Sequence, residues 1–474
     1  MKALPIELLQ QICSVLCPHC VNINTNDQPS CRHALASLSR TSHLLRAVAQ
    51  PFLFHRLKLH TGSTCKFLRL LYERPHLASS VKQLLPLRHE LFFDGSKEDI
   101  QILRRAAREL LLDVDGDPNF EQSYGDHDEK HFLTELAIAL LPNLEACVME
   151  IEYDLPDENL VTTNRFLASR FKRLATTDQQ KPGLPKLRTL RFAKEGYQAF
   201  NLATPGIAVL LNAAPNLERL VFDGTHGVEK LYQGWPGNIE LMAPALRNLR
   251  VLSITYTGLG NAEDDFEFRL LRRLVQLCTR LETFRFRGEG PFSWDLDGRH
   301  LPPSKFLEAL EPVRERLKVL DFDLPKSDHP GPLDDWTLTR QSFTSFTRLE
   351  SLHLDGFMFC HHFVDVVMKR SPRASTTCLT DILPPTVRFL SVMLVHKGRV
   401  WDDLCHLGRV ADTEFPQLKT VTIERENVLD GVLTRAMRRK AREAFEQSRV
   451  RLSITKEKCY DEDMAFEDVY DYNK

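Results

Sequence analysis

A short apolar pattern recurs along most of the chain. It reads x-x-x-L-x-x-L-x-(F/I/L), as in "LPKLRTLRF" from Leu184, and nine copies align. Their first apolar positions are spaced 30 to 43 residues apart and are Leu144, Leu187, Leu217, Leu249, Leu281, Leu317, Leu349, Val387 and Leu418. Recurrence at such a period indicates a repeat architecture in which each copy forms one structural unit.

The spacing inside and between the copies predicts a strand followed by a helix. The last two apolar positions of a copy alternate with a polar residue, as Leu190 and Phe192 do, which is typical of a strand with one buried face. Between copies lie helix-like stretches, for example residues 264–278 and 360–370. Because no copy can bury its apolar edge alone, neighbouring copies must stack. The pattern therefore predicts an α/β solenoid with a curved parallel sheet and outer helices.

This arrangement resembles the leucine-rich-repeat superfamily in an irregular form. The repeats are clear from about residue 140, and we assign residues 58–458 to the solenoid and residues 459–474 to an acidic C-terminal tail. Two partial copies extend the array in both directions, "SVKQLLPL" near Val81 and "RVRLSI" near Leu452.

The first 57 residues follow a different, helical pattern. The first predicted helix begins near Pro5 and places on one face Leu4, Leu8, Ile12, Val15 and Leu16. The second predicted helix, "ALASLSRTSHLLRAVAQ", carries Leu35, Leu38, Leu45 and Val48. Since a few short amphipathic helices build little core alone, we expect them to dock on a partner or on the following domain.

This stretch resembles an F-box, the module that joins a substrate receptor to the Skp-family adaptor of a cullin-based ubiquitin ligase. The segment "SRTSHLLRAVAQPFLFHRL" is similar to the corresponding segment of F-box proteins of filamentous fungi. The resemblance implies that residues 1–57 form the adaptor-binding helices, with a Cys-containing loop, 17–33, inserted between them. The implied adaptor contacts are Leu4, Pro5, Leu8, Leu9, Ile12, Leu16, Leu38, Leu45, Val48, Pro51 and Leu53. The other interpretation is that these helices only cap the solenoid, whose end also needs a cover.

One set of side chains in the inserted loop has the chemistry of a metal site. Cys17, Cys20, Cys31 and His33 spell C-x2-C-x10-C-x-H, and three thiolates with one imidazole are a normal tetrahedral zinc set. Zinc there would hold the inserted loop together. The alternative is that Cys17 and Cys20 end a helix as ordinary reduced thiols. We expect no other cofactor.

The polar positions of the predicted strands suggest a binding surface. Because stacked strands lie about 4.8 Å apart, residues at the same place in successive copies should be lateral neighbours. Arg285, Asp321 and His353 should form one row, and Arg287, Asp323 and Asp355 a second row beside it. We call these six residues, together with Arg191 in an earlier copy, the polar strip and predict that it contacts a protein substrate. Loops at one rim of the solenoid are the alternative site.

Charge, hydropathy and the motifs that are missing argue against several classes of function. The formal net charge of -2 gives no general attraction to nucleic acid or to anionic membranes, and no apolar run approaches the roughly 20 residues that span a bilayer. The sequence contains no phosphate-binding loop, zinc-protease or serine-hydrolase motif, so we expect no intrinsic catalysis. The odd count of 11 cysteines suggests free thiols, and we expect a cytoplasmic or nuclear protein.

Together these features predict a substrate-recognition subunit of a Skp-cullin-F-box ubiquitin ligase. By resemblance, the N-terminal helices bind the Skp-family adaptor and through it a cullin, while the solenoid holds a protein target. The alternative is a non-catalytic interaction scaffold that is not linked to degradation.

Overall fold

The computed structural model describes a large part of the chain. The described residues are 4–21, 28–58, 64–85, 96–112, 126–151, 167, 170–171, 173–174, 183–194, 205–223, 235–257, 266–288, 303–323, 338, 342–358, 378–394, 400–425 and 432–456. They fall into two compact units. The first runs to Leu220 and includes Pro236–Ala245, and the second begins at Val221 and continues from Leu246.

The first unit opens with four helices, α1 (Ile6–Val15), α2 (Pro18–Val21), α3 (Gln28–Thr41) and α4 (His43–Phe54). Helix α4 begins where the Ser42 side chain accepts a hydrogen bond from the backbone N–H of Leu45 at 3.2 Å, which satisfies one of its free N-terminal donors. The helices enclose a small core of Leu9, Cys13, Cys17, Leu35, Val48 and Ala49.

The remaining elements of the first unit alternate strands and helices. They are β1 (Arg56–Lys58), α5 (Thr64–Glu73), α6 (Pro75–Ala78), β2 (Gln83–Leu85), α7 (Lys97–Glu109), α8 (Asp126–Leu140), β3 (Ala146–Ile151), β4 (Thr189–Lys194), α9 (Pro205–Asn212), the start of β5 (Arg219–Asp223) and most of α10 (Trp235–Leu246). Helix α7 starts with a capping box in which Ser96 and Asp99 exchange hydrogen bonds with each other's backbone N–H groups.

The second unit continues the alternation. Its elements after β5 are β6 (Val251–Thr257), α11 (Phe266–Leu277), β7 (Thr283–Gly288), α12 (Pro303–Leu310), a 3-10 turn (Glu311–Val313), β8 (Val319–Asp323), β9 (Ser351–Asp355), a second 3-10 turn (Gly356–Met358), α13 (Cys378–Ile382), β10 (Phe389–Leu394), α14 (Val400–Glu414), β11 (Thr420–Arg425), α15 (Val432–Glu446) and β12 (Arg451–Lys456).

The strands confirm the repeat pattern. Within each unit the strands pair in parallel and in the order of the chain. All nine aligned copies form strands, β3 to β11, and the two partial copies form β2 and β12. Parallel neighbours in chain order, with helices in the connections, are what stacked α/β repeats produce. The protein is therefore an α/β protein with repeat-like parallel strands.

The apolar positions of the pattern form the core, as predicted. In one copy Leu187, Leu190 and Phe192 are fully buried, and the corresponding residues of the other copies are also buried. The first apolar position closes a turn into the strand, because the N–H of Leu187 donates to the carbonyl of Leu184 at 3.3 Å. The same bond joins Leu281 to Cys278 at 3.1 Å. Eight of the nine copies enter their strand through this turn, whereas in the sixth copy the N–H of Leu317 donates to the carbonyl of Val313 at 3.0 Å.

A ladder of opposite charges follows these turns and was not anticipated from the pattern. The residue after the first apolar position changes sign from one copy to the next over much of the array. Glu282 in the second unit lies between two cations, with Arg250 Nη2 at 3.2 Å and Lys318 Nζ at 3.4 Å from its carboxylate. In the first unit Lys82 Nζ lies 3.2 Å from Glu145 Oε1. Alternation of sign favours the observed order of the copies. Pairing one copy with the next but one would place like charges together.

Two sequence predictions fall outside the described residues, namely the helix over residues 360–370 and the acidic tail from residue 459. Within the part of the chain that is described, no helix is both long and apolar enough to cross a membrane.

Candidate functional sites

Helix α1 has two apolar sides, and only one of them is covered. Leu9 and Cys13 lie on the inner side and belong to the helical core. On the other side are Leu8, Ile12 and Val15 of the helix and Leu4, which lies just before it, and the exposed fractions of Leu4, Leu8, Ile12 and Val15 are 54%, 44%, 45% and 63%. We call these four residues the α1 stripe. Spacings of four and three residues, as between Leu8, Ile12 and Val15, place side chains on one side of a helix, so the stripe is an exposed apolar surface.

The residues predicted to contact an adaptor fall into three groups by exposure. Leu4, Pro5, Leu8 and Ile12 are exposed, whereas Leu9 and Val48 are buried. The remaining residues are half-buried, namely Leu16, Leu38, Leu45, Pro51 and Leu53. All of these except Pro51 pack against the small helical core. The buried group can support the shape of the helices, and the exposed group is available for contact.

Four side chains of the types that bind metals lie close together between the N-terminal helices and β1. Among the described residues, Cys17, His19, Cys20 and His55 have ligand atoms that all lie within 4.8 Å of one another. We call these residues the Cys/His cluster. His55 Nδ1 lies 3.6 Å from Cys17 Sγ and 3.4 Å from Cys20 Sγ, and His19 Nδ1 lies 3.8 Å from Cys20 Sγ. The two histidine rings are 5.5 Å apart and nearly perpendicular.

Backbone hydrogen bonds at Cys17 and at His55 position the residues of this cluster. Cys17 follows α1, and its carbonyl accepts hydrogen bonds from the N–H groups of Cys20 and Val21 at 3.0 and 3.2 Å, so α2 folds the two cysteines onto one side. His55 follows α4 directly, and its carbonyl accepts from the N–H groups of Lys82 and Gln83 at 2.9 and 2.8 Å. The cluster therefore joins α1 and α2 to the point where the parallel strands begin.

Burial favours the neutral forms of three of the four side chains, His55, Cys20 and His19. Burial lowers the pKa of His55 to about 4, with His19 and Lys82 as further causes. Although Cys20 is exposed as a residue, burial of its sulfur, together with the neighbouring Cys17, raises the pKa of its thiol to about 12. Burial also lowers the pKa of His19. Neutral imidazole is the form of histidine that binds metals.

The structure brings together only half of the zinc set suggested by the sequence. Cys17 and Cys20 belong to the Cys/His cluster, but Cys31 and His33 do not. Those two lie in α3, where Cys31 is half-buried and His33 is exposed. Residues two apart on a helix do not face the same side, so Cys31 and His33 are poorly placed to serve one ion. Their places are taken by His19, which lies inside the motif, and by His55, which is distant in sequence.

The polar strip has the predicted register in the second unit. Arg285 pairs with Asp321 and Asp321 with His353, and Arg287 pairs with Asp323 in the adjacent row. Hydrogen bonds and ion pairs connect the strip internally. Arg287 Nη2 lies 2.8 Å from Asp321 Oδ2, and His353 Nε2 lies 4.0 Å from Asp321 Oδ1.

The strip is less accessible than the sequence suggested. Asp321, His353 and Asp355 are buried, as is Arg191 in the first unit, while Arg285 and Arg287 are half-buried. Long side chains on strands this close together cover the shorter ones beside them, which the alternation of polar and apolar residues does not reveal. Burial tends to raise the pKa of Asp321, but Arg287, His353 and Arg285 outweigh it and hold that pKa below its usual value. Asp321 thus remains a buried anion beside Arg285 and Arg287.

Comparison of the sequence with family models and with curated proteins finds no match.

Proposed function

We propose that the protein is a substrate receptor of a Skp-cullin-F-box ubiquitin ligase. In this proposal the N-terminal helices bind a Skp-family adaptor, and the repeat array holds a protein target. The chain supplies proximity, because tethering raises the effective concentration of the target near the ligase. Catalysis belongs to other subunits.

The exposed α1 stripe carries this proposal. Apolar side chains that remain open on a helix whose other side is already packed favour a helical partner surface. Each stripe residue exposes about half of its surface or more. Since complete burial of a leucine contributes roughly 1.5–3 kcal/mol, covering the stripe would contribute about 3–6 kcal/mol before the costs of association. This amount is suited to the centre of an interface, with further contacts around it.

The proposal is tested by calorimetric titration of the full chain with a purified Skp-family adaptor. Leu8 and Ile12 are both a little under half exposed, so replacing both with alanine removes about the area of one fully exposed side chain. We expect Leu8→Ala/Ile12→Ala to weaken binding by about 10- to 150-fold, corresponding to about 1.5–3 kcal/mol. Alanine preserves the helix, which circular dichroism can verify.

Phe389→Ala provides the matched control. Phe389 is 45% exposed, like Ile12, but lies on β10 of the second unit. Its replacement should leave adaptor affinity unchanged. Failure of the wild-type chain to bind the adaptor, or equal losses in both variants, would contradict the proposal.

Involvement in degradation requires a second measurement. A receptor should co-purify with a cullin, and a target identified by proximity labelling should become longer-lived when the α1 stripe is mutated. The half-buried arginines of the polar strip, Arg285 and Arg287, are our proposed contacts for that target. Adaptor binding without a cullin, and with no change in target lifetime, would instead indicate a scaffold outside degradation.

A further inference from the structure

We propose that Cys17, His19, Cys20 and His55 bind one zinc ion. The donor set is two thiols and two imidazoles, a combination that zinc favours in closed structural sites. All four ligand atoms lie within 4.8 Å of one another, so they can reach one ion together. The site is independent of the proposed function, because its occupancy can be measured without an adaptor or a target.

The distances fit a tetrahedral zinc site. Bonds of about 2.3 Å to sulfur and about 2.0–2.1 Å to nitrogen, meeting at the tetrahedral angle, place a sulfur and a nitrogen about 3.6 Å apart. Three of the four sulfur–nitrogen distances in the Cys/His cluster are 3.4, 3.6 and 3.8 Å, and the fourth, between Cys17 and His19, is within 4.8 Å. In each of the first three the histidine atom is Nδ1, which leaves both Nε2 atoms to other partners. Little movement is needed to close the site around an ion.

The carboxylate of Glu145 lies near the second ring nitrogen of His19. His19 Nε2 lies 3.9 Å from Glu145 Oε2, on the opposite side of the ring from the cysteine. Zinc-bound histidines commonly donate their second N–H to a carboxylate, which fixes the ring and makes it a better ligand. Glu145 is itself held by Lys82, whose Nζ lies 3.2 Å from Glu145 Oε1. Two successive turns of the repeat array therefore support the site.

Zinc here would connect segments that are distant along the chain. His55 is separated from Cys17 and Cys20 by 38 and 35 residues. Cys17, which lies between α1 and α2, belongs to the helical core, and His55 lies between α4 and β1. The ion would hold α1 and α2, which carry the α1 stripe, to the beginning of the parallel strands. We therefore expect zinc removal to loosen the N-terminal helices before it affects the second unit.

The test uses the full chain purified without added chelator, with zinc measured by elemental analysis. We expect about one zinc ion per chain, and Co²⁺ exchanged into the site should show the visible absorption of tetrahedral thiolate coordination. Cys20→Ser and His55→Gln should each lower the zinc affinity at least tenfold in a competition titration with a chromophoric chelator. Because Cys20 is exposed and far from the second unit along the chain, Cys20→Ser should leave the second unit folded, as circular dichroism can show.

Cys31→Ser/His33→Gln is the matched control, since it removes the same two residue types from α3. We expect this variant to retain zinc at full stoichiometry. Absence of zinc and cobalt binding in the folded wild-type chain would overturn the proposal, as would a Cys17–Cys20 disulfide in freshly purified protein. Zinc lost from the Cys20 variant and from the control but retained by the His55 variant would assign the ion to the set suggested by the sequence instead.

Discussion

A buried carboxyl in the second unit should make stability depend on pH. Asp403 lies on α14 with 1% of its surface exposed, and neither of its oxygens has a hydrogen-bond partner among the described residues. Burial, together with the nearby carboxylates of Asp402 and Asp381, raises its pKa from the usual value of 3.8 to about 7. An acid in this environment is stable only when it holds a proton.

The sign and size of the effect follow from that shift. Between pH 4 and 7 the folded chain keeps a proton at Asp403 that the unfolded chain releases, so this group lowers the free energy of unfolding as pH rises. The cost is absent below about pH 4 and complete above about pH 7. A difference of about three pKa units corresponds to about 4 kcal/mol, which is an upper value for the loss.

Asp403→Asn removes the charge at nearly constant volume. We expect the variant to be more stable than the wild type at pH 8, by up to about 4 kcal/mol, with the advantage shrinking towards zero at pH 4. The difference between the two unfolding curves at each pH isolates this residue, because the other titrating groups are shared. Asp402→Asn is the control, since it removes the exposed neighbouring charge but leaves the buried carboxyl, and it should give only a small part of the difference seen for Asp403→Asn. An advantage for Asp403→Asn that does not grow with pH would refute the reasoning.

Two further predictions concern the charges on the strands. A double-mutant cycle on Arg287→Ala and Asp321→Ala, measured by chemical denaturation, should give a coupling free energy of about 0.5–3 kcal/mol. The reason is that the charged atoms of the two residues lie 2.8 Å apart and are mostly shielded from solvent. A coupling near zero would mean that solvent screens the pair. Glu282→Lys should lower stability more than Glu282→Gln, by about 1 kcal/mol, because it places a third cation between Arg250 and Lys318. Equal stabilities of the two variants at low salt would count against the charge ladder.

Much of the fold could be predicted from local pattern. The strand at each copy follows from alternation around residues such as Leu190 and Phe192, and the order of the strands follows from stacking one copy on the next. The lateral pairing of Arg285, Asp321 and His353 was predictable for the same reason, since equal positions in equal repeats must be neighbours.

The open side of α1 was partly predictable as well. Leu4, Leu8 and Ile12 form one helical face in the sequence, but so do Leu9 and Cys13, and the pattern does not say which face is packed. The structure decides this, because α4 covers the inner side and leaves the α1 stripe exposed. The identity of the partner remains our proposal.

The sequence by itself determined the strands, their order and their apolar core, because these depend on spacings of a few residues repeated many times. Only the tertiary structure decided that His55 completes a site with Cys17 and Cys20, and that Asp321 and His353 lie buried. Each of these outcomes depends on where distant segments come to rest and on how far long side chains cover their neighbours. Neither quantity has a local period, so no pattern along the chain records it.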